Sequence, residues 1–162
     1  MTLRRFSAFP DTLAALLFAG LLSLAPVVVR ADSLQDANLL MKQGQLVPAL
    51  EKTEQLLATK PKDAQARFLK GLILTEMNRH NEAIAIFTKL TEDYPELPEP
   101  YNNLAALYAQ QRQFEKARNA IEMAIRTQPS YATAHENLGD IYALMAAQAY
   151  DRALQIDADG QH

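Results

Sequence analysis

Apolar residues along this chain fall at helical spacing, in paired bursts separated by short polar breaks. Between Pro98 and Pro129, Tyr101, Leu104, Ala105 and Tyr108 share one stripe, and Ala117, Ile121 and Ala124 share another. Intervals of three and four predict two amphipathic helices. The polar run Gln111–Gln113 predicts the joint between them, and Pro129 ends the second. The same arrangement lies upstream in Gly71 and Leu74, then Ala83, Phe87 and Leu90, then Pro95. The offset is constant. Pro61, Pro95 and Pro129 stand 34 apart, as do Gly71 and Ala105, Leu74 and Tyr108, and Ala83 and Ala117. A fixed period of this length in helix–turn–helix units predicts a chain of stacked repeats.

Weaker units flank these two. In Ser33–Lys60, Ala37, Leu40, Ala49 and Leu56 take the places of Gly71, Leu74, Ala83 and Leu90, which predicts helices over 33–43 and 46–59 with a turn at Gly44-Gln45. Asp36 stands where the third unit has Leu104, so packing weakens there, as an end unit allows. In the second unit Asp63 is a good N-cap. Gly71 costs about 1 kcal/mol against alanine within a helix and reads as a close helix–helix approach. The cluster Asn78–Asn81 reads as the turn. The fourth unit begins in register, with His135, Leu138, Gly139 and Tyr142 repeating Tyr101, Leu104, Ala105 and Tyr108. His135 therefore reads as a packing residue.

Then the register breaks. Tyr142 and Tyr150 are 8 apart, where Tyr108 and Ile121 are 13 apart, so the five residues of a turn are missing. Ala143–Ala149 contains no helix breaker. The expectation is one continuous helix over 131–156, with a tail that frays after Asp157.

These residues and their period resemble the tetratricopeptide repeat (TPR) family, strongly over 64–142 and weakly at both ends. The resemblance implies an all-α, right-handed superhelix of helix–turn–helix repeats, here with a long fused C-terminal helix. The units run over about 33–63, 64–97 and 98–131, with an incomplete fourth at 132–157. It also implies a protein or peptide partner held in the concave groove lined by the first helix of each pair. Carried over position by position, that groove presents Phe68 and Leu72, then Glu99, Asn102 and Asn103, then Glu136, Asn137 and Asp140. It is apolar at one end and acidic at the other. Asn103 and Asn137 take equivalent places, and a side-chain amide can bond both donor and acceptor of an extended peptide. The basic residues with which some members clamp a C-terminal carboxylate are replaced here by Glu99 and Asn103.

The N-terminus adds a compartment. Arg4 and Arg5 precede the apolar run Leu13–Leu24, Pro26 breaks it, and Val29-Arg30-Ala31 has signal-peptidase spacing. The three parts predict a secretory signal peptide over 1–31, cleaved after Ala31, and a periplasmic protein with no membrane contact after cleavage. The rival is a retained anchor, since Leu13–Val29 is at the short limit of a membrane span. Cleavage lowers the basic count from 16 to 13 and the acidic count from 19 to 18, leaving a net charge of −5. With no basic run, a nucleic-acid surface is not expected.

Chemistry has little to work with. The chain holds no cysteine and three histidines, at 80, 135 and 162, with no His-x-x-x-His pair. No glycine-rich phosphate loop or nucleophile elbow occurs either. The reading is a non-enzymatic scaffold without metal or cofactor. Its second candidate surface is the distal part of the final helix, where Met145, Ala149, Tyr150, Ala153 and Leu154 project at least partly uncovered. That surface would pair with a second copy, giving a homodimer, or dock into another protein. A local bend that folds it back as a short cap is the alternative.

Overall fold

The computed structural model describes residues 29–159. Within them lie seven α-helices and no strand: α1 (Val29–Lys42), α2 (Leu46–Thr59), α3 (Ala64–Glu76), α4 (His80–Asp93), α5 (Pro98–Gln110), α6 (Phe114–Thr127) and α7 (Ala132–Asp159). The helices pair in sequence, α1 on α2, α3 on α4 and α5 on α6, and α7 packs on α6 and α5. This is the all-α stack of repeats that the period predicts and the superhelical fold that the resemblance implies. The signal-peptide assignment lies almost wholly outside the described residues. Cleavage after Ala31 would remove only the first residues of α1.

Each pair turns by the same device. Gly44, Asn78 and Arg112, again 34 apart, have φ of 75°, 59° and 59°. The following N–H groups, of Gln45, Arg79 and Gln113, each donate to the carbonyl five residues back, on Leu40, Leu74 and Tyr108, at 2.9 Å. Gly44, Asn78 and Arg112 themselves donate to Met41, Thr75 and Ala109. That pair of bonds satisfies helix-end carbonyls and reverses the chain within three residues. Asp63 caps α3, its carboxylate accepting from the Ala66 N–H at 3.0 Å.

Small residues let the paired helices approach. Ala37, Ala49, Ala83, Ala105 and Ala117 are fully buried. A Cβ on Gly71 would stand 2.5 Å from Cζ of Phe87, so glycine is needed there for the aromatic ring of α4. Where Asp36 replaces an apolar residue in the first unit, it pairs with Lys52 at 2.5 Å. The core is continuous from α1 to α7, because Tyr108 and Ala120 pack against both its halves.

α7 is one helix of 28 residues without a break, as the missing turn predicts. It runs through Asp159, past the point where fraying was expected, because nothing before Gly160 interrupts it. Its proximal half buries Ala134 and Ile141. From Ala146 to Ala158 every residue is exposed. His135 departs from its expected packing role. It is exposed, with ring Nε2 2.9 Å from the Pro129 carbonyl, because no second helix among the described residues lies across from this side of α7.

Candidate functional site

An open cavity of about 480 Å³ lies between α1, α3 and the start of α5. Leu34 and Asn38 come from α1, Phe68 and Leu72 from α3, and Leu97, Glu99 and Pro100 from the entry to α5. Phe68 is held edge-on against Phe87, with ring centroids 5.6 Å apart at 61°. The second helix of the pair thereby fixes the floor that the first presents. Among the lining residues Glu99 alone carries a charge.

The groove residues read from the sequence divide into three groups. Phe68, Leu72 and Glu99 do come together, in this cavity. Asn102 and Asn137 meet each other instead: the Asn137 side-chain amide donates to Asn102 Oδ1 at 2.7 Å and ties α7 to α5. Asn103 donates to its own helix, to the Glu99 carbonyl at 2.9 Å. The two asparagines in equivalent places are therefore not an equivalent open pair, since each already spends a donor inside the protein. Glu136 and Asp140 are exposed on α7, outside the cavity.

Tyr131, at the entry to α7, has its hydroxyl pKa raised, first by burial and then by the charge of Glu99. On the outer side Asp93 is held below the usual carboxylate range, chiefly by the hydrogen bond from Arg67, with Lys89 adding to it. That pair braces α3 against α4 at 2.6 Å.

Leu34 and Asn38 were missed, although the signal was present: they precede Phe68 and Leu72 by one 34-residue period. Leu97 is the residue that precedes α5 and Pro100 lies in its first turn, where periodicity of apolar positions is silent. Of the second candidate surface, Met145 is half-buried against the stack, whereas Ala149, Tyr150 and Leu154 are exposed. Among the described residues no cluster of three or more acidic or histidine side chains is placed to hold a metal. No described helix is long and apolar enough to cross a membrane.

A family model described as Tetratricopeptide repeat matches residues 40–99 and 74–141, together more than half the chain. The chain belongs to the tetratricopeptide repeat family. It is 32% identical over 74 residues to the chloroplastic TPR domain-containing protein PYG7 of Arabidopsis thaliana, a match covering 43% of this chain. It spans only 25% of that relative's length. Among solved structures it resembles YrrB, described as a TPR protein with an unusual peptide-binding site. The identity is 27%, the TM-score 0.61, and the match covers 64% of this chain and 54% of that one. It also shares its fold with the first TPR domain of Spaghetti (RPAP3), solved with the HSP90 peptide SRMEEVD. There the identity is 14%, the TM-score 0.67, and coverage is 72% and 93%.

Proposed function

We propose that this TPR chain is a non-enzymatic adaptor that holds an apolar, neutral or basic segment of a partner protein in its concave groove. The observation that carries this is the cavity between α1, α3 and α5, apolar in its floor and bearing one carboxylate and no cation. The peptide sites named for YrrB and Spaghetti support a peptide as the ligand class. The acidic tail bound by the latter does not suit this groove, because Glu99 would repel it.

The leader pattern supports a periplasmic setting, with assembly of an envelope complex as the role. The alternative, a stack tethered to the inner membrane by a retained leader, is separated from it by N-terminal sequencing. A mature start at Asp32 supports the free adaptor, and a start at Met1 the tethered subunit.

Binding is tested with fluorescent nonapeptides that share an apolar centre and carry either lysine or glutamate flanks. The lysine-flanked set should bind more tightly by about 5- to 10-fold, on the order of 1 kcal/mol. Leu72→Asp should abolish binding of both sets, and Glu99→Lys should reverse the preference. Binding untouched by Leu72→Asp would move the site away from this cavity.

A further inference from the structure

α7 carries both faces of a helical hairpin that it cannot close by itself. In the second and third repeats the first helix meets the second through Gly71 and Ala105, both buried. Gly139 takes the same place one period later, yet a Cβ built on it would meet nothing within 4 Å. Tyr142, the counterpart of the buried Leu74, is 50% exposed. Among the described residues no second helix covers this side.

The residues that fill it elsewhere are known. They are Ala83, Phe87 and Leu90 in the second repeat and Ala117, Ile121 and Ala124 in the third, all at 0% exposure. Once the five-residue gap is counted, their counterparts are Ala146, Tyr150 and Ala153, all exposed on the distal half of α7.

The helix is phased for this. At about 100° per residue, Gly139, Tyr142, Ala146, Tyr150, Ala153 and Leu154 fall on one stripe. The side that continues the stack-facing Ala134, Leu138 and Ile141 carries Gln148, Arg152 and Gln155 in the distal half, with Ile156 its one large apolar residue. Apart from Ile156 on the first side and Asp157 on the second, the distal half is thus polar where it would extend the stack and apolar where Gly139 looks. In a straight helix it cannot reach Gly139 of its own chain.

We propose that α7 is exchanged between two copies of this chain, the distal half of each serving as the missing second helix of the other's fourth repeat. Antiparallel pairing that sets Gly139 against Tyr150 of the second copy also sets Tyr150 against that copy's Gly139. The two-fold axis then passes between Leu144 and Met145, where Ala143 and Ala146 of the two copies cross and permit close backbone approach. One register satisfies both halves, which is the condition for a closed two-fold interface. Deleting a hairpin turn is a general route to such exchange, since the helices keep their complementary faces but lose the means to meet within one chain. The second helices that fill this place in the other repeats share a small residue followed four positions on by a large apolar one, and the second copy already brings that pattern in Ala146 and Tyr150. This inference goes beyond the groove reading and does not depend on it.

The chain has no native cysteine, so introduced thiols report without background. Gly139 and Tyr150 lie 11 residues apart, roughly 16 Å along one helix. A disulfide needs Cα atoms within about 7 Å, so the two thiols cannot join within a straight α7. The full chain carrying Gly139→Cys and Tyr150→Cys should, on mild oxidation, run at twice the chain mass on a non-reducing gel and return on reduction. A link within one chain, the mark of a folded-back helix, would overturn the exchange, as would thiols that stay unlinked in a helical protein. Replacing Ala143–Met145 by the eight residues at 109–116 restores the turn and should halve the mass seen by light scattering. Light scattering of the unaltered chain needs neither variant to fold, and a monomer at every concentration would defeat the proposal.

Discussion

Gly71 shows how one position sets the spacing of two helices. Its Cα side faces the fully buried Phe87, and an added methyl would come within 2.5 Å of the ring. The ring is packed in turn against Phe68, so it cannot move without disturbing the cavity floor. Gly71→Ala should therefore destabilise the protein by about 1–3 kcal/mol, despite alanine's better helix propensity, as overpacked cores do. Chemical denaturation checks this, and an unchanged midpoint would mean that the pair can separate at little cost. The Asp93 carboxylate gives a second test at this scale. Its pKa is lowered in the folded state, so its stabilising contribution is present above the unfolded carboxylate pKa and is lost as pH falls through the lowered value. Asp93→Asn should lower the melting temperature at neutral pH, and the gap to the parent chain should close on acidification.

Among the elements, the ordinary hairpins were legible from the sequence and the irregular ones were legible for a different reason. The limits of α2, α5 and α6 follow from apolar spacing and a polar joint, because those helices bury one face on each neighbour. The turns carried less signal: only Gly44 advertises its left-handed backbone, while Asn78 and Arg112 adopt the same conformation under the demand of the closing hydrogen bonds. α7 was legible from what its sequence lacks, a turn between Tyr142 and Tyr150. The site was less so. Leu34 and Asn38 follow from the period, but the Asn102–Asn137 bond depends on side-chain rotation that periodicity does not encode. At this scale Asp63→Ala removes the cap from Ala66 N–H and should cost about 1 kcal/mol. Since α3 supplies the cavity floor, amide exchange should rise first in its opening turn.

In the whole molecule, stability and association are linked through the last element. A stack of repeats draws its stability from neighbour interfaces, and the outer face of a terminal unit is where that support ends. In a single copy residues 146–158 are all exposed, so they add helix without adding core. Truncation after Met145 should then leave the melting of an isolated stack nearly unchanged. In an exchanged pair the same residues cover Gly139 and Tyr142 of the second copy, and melting becomes coupled to association. The full chain should melt at higher temperature as its concentration rises, because binding that favours the folded state shifts the transition by mass action. The truncated chain should melt at a temperature independent of concentration and retain its peptide binding, since the cavity between α1, α3 and α5 is untouched. Concentration-dependent melting that survives truncation would place the self-association elsewhere on the stack. Loss of peptide binding on truncation would mean that the distal helix, rather than the groove, presents the ligand surface.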